Sequence, residues 1–99
     1  MSRGEVPPKM LTAPLSADVL ADRIGAALRR GWGDMRHATK RLSRRVQADP
    51  RAVENWMAGR NAPQSAQLIR LMAECEAVRA EVNALVEQEI AARALDPHG

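Results

Sequence analysis

The stretch TKRLSRRVQADPRAVENWMAG, from Thr39 to Gly59, decides how this chain is read. Just ahead of it Ala38 begins an apolar series with Leu42 and Val46, four residues apart, the spacing of one helix face. Val53, Trp56 and Met57 form a second apolar group after a short break. Between the two, Asp49-Pro50 is a helix start signal. The carboxylate can accept the free N–H groups of a first turn, and the fixed φ of proline suits the first helical position, where no N–H partner is lost. Gly59 closes the second pattern as a residue that enters left-handed backbone at little cost. The passage therefore predicts two short helices with a very tight connection at Gln47 to Asp49. Leu42, Val46, Val53 and Trp56 would pack in the angle between them. When two helices meet steeply, the second can project from the body, and a projecting helix fits a DNA major groove about 12 Å wide.

Working outward, residues 1 to 14 hold Pro7, Pro8 and Pro14, one glycine and no periodicity, and read as a mobile arm. Ser16 is a good N-cap with Asp18 in the favourable first turn. Leu20, Ile24, Ala27 and Leu28 then carry a first helix that stops near Gly31 and Gly33. Asp34 is the expected cap of the second helix. After Gly59, Pro63 prevents direct continuation and Ser65 is the expected cap of a fourth helix, with Leu68, Leu71, Met72 and Cys75 on one side. From Glu76 to about Leu95 the chain has no Gly or Pro. Val78, Val82, Leu85 and Ile90 predict a long fifth helix there, before a frayed end at 96–99. The organisation is thus an arm at 1–14, one all-α five-helix domain at 15–95 and a short tail.

Composition bounds the function. Ninety-nine residues make one domain. With no Phe or Tyr and only Trp32 and Trp56 as aromatic residues, the core must come from Leu, Val, Ile, Met and Ala, a helical palette. No apolar run reaches the roughly 20 residues of a membrane span, no secretory h-region opens the chain, and the single Cys75 excludes an intrachain disulfide. These point to the cytoplasm. The overall charge is only +3, but residues 23–60 carry ten basic side chains against three acidic ones, a balance of +7. Residues 74–96 carry six acids against two arginines, a balance of −4. A polyanion-facing surface, if there is one, lies in the middle of the chain; ordinary solvated faces are the alternative.

The run from Leu42 to Pro63 resembles the helix-turn-helix of the lambda-repressor-like family of bacterial and phage regulators. The matching positions are apolar Leu42, small Ser43, the polar cap Asp49, aliphatic Val53, inward Trp56, terminal Gly59 and Pro63 at the opening of the following helix. Gln47 departs from the glycine common at the family's turn. With the flanking helices the likeness spans residues 16 to 75. It implies that Pro50, Arg51, Ala52 and Asn55 face base edges. Arg51 can donate two bonds to guanine, Asn55 can pair with adenine, and Ala52 can touch a thymine methyl, whereas Pro50 has no donor. It also implies that Thr39, Lys40, Arg60 and Asn61 hold phosphates, with Arg36, Arg41 and Arg44 as secondary candidates. The implied partner is double-stranded DNA, bound as a transcription regulator or repressor of a phage or mobile element, in the bacterial nucleoid. Two-fold operators further imply a homodimer.

Other features carry less. His37 and His98 are isolated, and no Cys/His spacing fits a metal, so no metal or cofactor is expected. Cys75 falls on an apolar stripe and reads as core. Trp32, between two glycines, is either a surface anchor or a lid on the core. No carboxylate is paired with a base or nucleophile, so the chain reads as no enzyme. The acidic last helix is either intrachain core or a dimer seam. With donor-free Pro50 it motivates the main alternative, a protein-interaction module (antiactivator or antitoxin) that binds another regulator. An accessory role in recombination is a third reading.

Overall fold

The computed structural model describes residues 15–33 and 37–95, which form helices and turns with no strand among them. In chain order these are α1 (Ala17–Trp32), α2 (Ala38–Val46), α3 (Pro50–Met57), α4 (Ser65–Glu74) and α5 (Glu76–Leu95). The expected arm at 1–14, the tail at 96–99, and the cap residue Asp34 together with Arg36 lie outside the described residues.

Local chemistry sets most boundaries as expected. Ser16 Oγ accepts from the Val19 N–H at 3.1 Å, so α1 starts where its cap predicts. At α3, Asp49 Oδ1 accepts from the Arg51 N–H at 2.8 Å with Pro50 in the first turn. Gly59 has φ +76, the left-handed geometry expected of it. Two starts differ from expectation. The residue ahead of α2 is His37, itself left-handed at φ 58 and without a capping side-chain bond. Helix α4 begins with Ser65 inside the first turn and Gln64 at the cap position, so Ser65 caps nothing and Pro63 stands outside the helix, buried.

The connection between α2 and α3 contains a strained residue. Gln47 sits at φ 56, ψ 50, its N–H donating to the Ser43 carbonyl. A side chain in this region costs roughly 1–2 kcal/mol, while glycine brings extra unfolded-state entropy of about 0.5–1 kcal/mol. Gln47→Gly is therefore expected to stabilise the chain by roughly 0.5–1 kcal/mol, a rise of about 2–8 °C in midpoint. Thermal unfolding by circular dichroism checks it, and a lower midpoint would show that Gln47 makes a contact outweighing the strain.

The core is one cluster. Ile24, Ala27 and Leu28 of α1, Leu42 and Val46 of α2, Val53 and Trp56 of α3, Leu71 of α4, Cys75 in the extended link between α4 and α5, and Val78 of α5 close on one another. Among the described residues Ser43 is the one buried polar side chain; its hydroxyl donates to the Lys40 carbonyl at 2.9 Å, which satisfies it inside the helix. Trp32 is half-buried against the cluster and so acts as a lid.

Helix α5 divides into two halves. Val78 and Leu85 are buried and Val82 is half-buried, packing the first half into the same core, and Glu81 receives both Arg23 and Arg30 of α1. Burial decides this docking. Two buried aliphatic side chains contribute roughly 1.5–3 kcal/mol each, whereas ion pairs whose arginines stay solvated, as these do, contribute about 0–1. Farther on, Val86 and Ile90 are about half exposed, so Ile90 does not join the core as its spacing predicts. No helix among the described residues is long and apolar enough to cross a membrane.

Candidate nucleic-acid interface

Helix α3 is fixed at both ends before any ligand is considered. Asp49 caps its start, and at its other end Arg29 of α1 donates to the Met57 carbonyl. Its inner side is Val53 and Trp56, both buried, with Met57 half-buried. The opposite side, one turn to the next, is Arg51, Glu54, Asn55 and Ala58, the i, i+3, i+4, i+7 positions of one face. Arg51 is exposed and makes no ion pair with a described residue. Pro50 is exposed beside it.

The other expected base-facing positions are less free. Ala52 is half-buried and packs on the core, so its methyl is only partly available. Asn55 is half-buried and held by Arg60 twice over: the Arg60 guanidinium donates to Asn55 Oδ1 at 3.0 Å, and the Arg60 N–H donates to the Asn55 carbonyl at 2.9 Å. One lone pair of Oδ1 is thus engaged. The Asn55 amide N–H groups are left as its main groove-facing donors, and the Arg60 charge is brought beside α3 instead of standing apart in the loop. Asn61 is exposed next to it. On α2, Lys40 is exposed, whereas Thr39 is half-buried with its hydroxyl 3.9 Å from the Met57 sulfur, a contact that ties α2 to α3.

Glu54 was not among the expected site residues. It lies exposed on the same face as Arg51, where a carboxylate can accept from a cytosine amino group and repels phosphate. The helical spacing from Arg51 to Glu54 was the signal for it. Trp56 and Val53 fill the interior, so the face is limited to short or flexible polar side chains.

The structure also sorts the cations of residues 23–60. Arg23 and Arg30 face Glu81, Arg45 pairs with Glu74 at 3.1 Å, Arg29 serves the Met57 carbonyl, and Arg60 is tied to Asn55. The basic middle and the acidic end are therefore not two separate surfaces, because part of each neutralises the other. Lys40, Arg41, Arg44 and Arg51 make no ion pair with a described residue. No group of three metal-ligating side chains occurs among the described residues. Comparison with family models, curated proteins and solved structures gives no match to this chain.

Proposed function

We propose that this chain binds double-stranded DNA through α2 and α3, used as a helix-turn-helix of the lambda-repressor-like kind, and regulates transcription, with a phage or mobile element as its setting and the cytoplasm as its place. The observation that carries this reading is the outward face of α3. A helix capped at its start and anchored at its end presents Arg51 unpaired, with Asn55 and Arg60 beside it and further cations on α2. Arg51 and the Asn55 amide would read base edges, Ala52 and Pro50 would add apolar contact, and Lys40, Thr39, Arg60 and Asn61 would hold the backbone. The exposed apolar strip of Leu15, Val86 and Ile90 is the surface left for a second copy on a two-fold site.

Selection of binding sites from random duplexes tests the reading directly: enrichment of one sequence is expected. On that sequence, Arg51→Ala should weaken binding by about 1–3 kcal/mol, roughly 5- to 150-fold, and relax preference at one base pair. Equal binding of Arg51→Ala to selected and scrambled duplexes at wild-type affinity would remove Arg51 from the interface.

A second reading, a module that binds another regulator in place of DNA, is favoured by Glu54 on the α3 face and by the same apolar strip on α5. A mobility shift at low salt, run beside co-purification with neighbouring gene products, separates the two.

A further inference from the structure

The chain leaves α3 through a closure that brings Asn55 and Arg60 together by backbone geometry. The Gly59 N–H donates to the Trp56 carbonyl at 3.0 Å, and the Arg60 N–H donates to the Asn55 carbonyl at 2.9 Å. With Gly59 left-handed at φ +76, these two bonds make a Schellman ending, in which the residue after the glycine folds back over the last turn of the helix. That pair of positions frequently carries an apolar contact. Here it carries Arg60 and Asn55, and the guanidinium donates to Asn55 Oδ1 at 3.0 Å. The closure has little room to slip, because the Gly59 backbone is pressed on α1. A Cβ at Gly25 would stand 3.0 Å from both its Cα and its N.

The guanidinium has N–H donors and no acceptor, so its place on Oδ1 settles what Asn55 can offer. Asn55 Nδ2 donates to no described residue, and both of its hydrogens are left for a base. Pairing with adenine needs Oδ1 to accept from the N6 amino group while Nδ2 donates to N7. With Arg60 in place, that amino group would bring a second donor to an oxygen already facing a cation. Guanine presents N7 and O6 instead, two acceptors and no donor. The Nδ2 hydrogens match that edge, and the Arg60 charge attracts an acceptor oxygen where it repels an amino group.

We propose that Arg60 is a positioning residue: it holds the Asn55 amide with its nitrogen free for the groove, so that Asn55 reads guanine and not the adenine implied by the family likeness. The choice of base rests on the DNA-binding reading; the clamp itself does not. Arg60 keeps further donors for a phosphate while it does so. One phosphate accounts for only about 0.9 of the slope of log affinity against log salt, whereas a well-placed amide discriminates between bases by roughly 5- to 150-fold.

The test compares the full chain with Arg60→Met, Asn55→Ala and the double variant. Methionine suits a position where an apolar residue is common, and it keeps a long side chain without charge or donor. Circular dichroism confirms that each fold is retained. Fluorescence anisotropy then measures binding to duplexes carrying guanine or adenine at each position of the selected site. The starting chain is expected to favour guanine at the base pair whose preference Asn55→Ala abolishes. Arg60→Met should lower the guanine-to-adenine ratio there by roughly 5-fold or more, while the salt slope falls by about 1 at most. In the double variant Arg60→Met should add nothing to the effect of Asn55→Ala on that ratio. A uniform loss of affinity in Arg60→Met with the ratio unchanged would make Arg60 a phosphate contact only and overturns the proposal, as does adenine favoured by the starting chain. Should the starting chain bind no duplex at low salt, the base choice falls with the DNA reading, and ¹⁵N relaxation of the Asn55 side-chain amide decides the clamp. An ordered amide that loosens in Arg60→Met keeps it; an amide of the same order in both chains overturns it.

Discussion

Replacing Trp56 by alanine is expected to lower the free energy of unfolding by about 3–5 kcal/mol. Trp56 is 3% exposed and stands where α1, α2 and α3 meet in the single core cluster. A domain of this size has roughly 5–15 kcal/mol in all, so the change removes about a fifth of it or more. At about 4–8 °C per kcal/mol the midpoint falls by more than roughly 12 °C. Urea unfolding of the two chains, followed by circular dichroism, measures it. Trp32→Ala is the internal comparison. Trp32 is only half-buried, so its removal should cost distinctly less than that of Trp56. Equal losses would mean that the two indoles share the core evenly, against the burial seen. Because Val53 and Trp56 also hold the inner side of α3, the same substitution should weaken any ligand binding by α3 through loss of the helix itself.

Gly25→Ala should destabilise the chain even though alanine is the better helix former. In an unconstrained helix interior the exchange gains about 1 kcal/mol. Here a Cβ at Gly25 would lie 2.9 Å from the Trp56 carbonyl oxygen and 3.0 Å from both the Cα and the N of Gly59. All three are backbone atoms, so no side chain can rotate away. Gly59 is itself held at φ +76. The neighbouring backbone must shift, which costs about 1–3 kcal/mol for overpacking and exceeds the propensity gain. Gly25→Leu should go further and prevent folding at 37 °C. Thermal midpoints of the alanine and starting chains settle the sign. A rise on Gly25→Ala would show that α1 and the end of α3 stand farther apart than this contact requires.

Both predictions concern one joint, the packing of α1 on the end of α3, and it also sets the candidate interface. Arg29 reaches the Met57 carbonyl across that joint, and Arg60 reaches back to Asn55 just after it. A displaced α1 would therefore disturb the α3 face without touching Arg51.

Read from the sequence alone, the helices came out nearly complete, because their signals are local. Ser16, Asp49-Pro50 and Gly59 act within one turn of themselves, and a capped end or left-handed residue needs no distant partner to be recognised. The four-residue spacing of Ala38, Leu42 and Val46 likewise reports one face of one helix. Where local signals were weak, expectation slipped. Ser65 resembles a cap yet lies inside α4, since Gln64 has the extended backbone, and Ile90 continues an apolar stripe that has run out of body to cover it.

The sequence by itself determined that the described residues form helices, that a tight turn falls at Gln47 to Asp49, and that Arg51 stands on an outward face. Only the tertiary structure decided which charges remain available. Glu81 is 51 and 58 residues away from the arginines it meets, and Glu74 is 29 away from Arg45, so no spacing rule could foresee those pairs. The same holds for the bond between Arg60 and Asn55 and for the approach of Gly25 to Gly59. Periodicity reports which side of a helix is buried; what lies opposite that side is settled by how the helices fold back on one another.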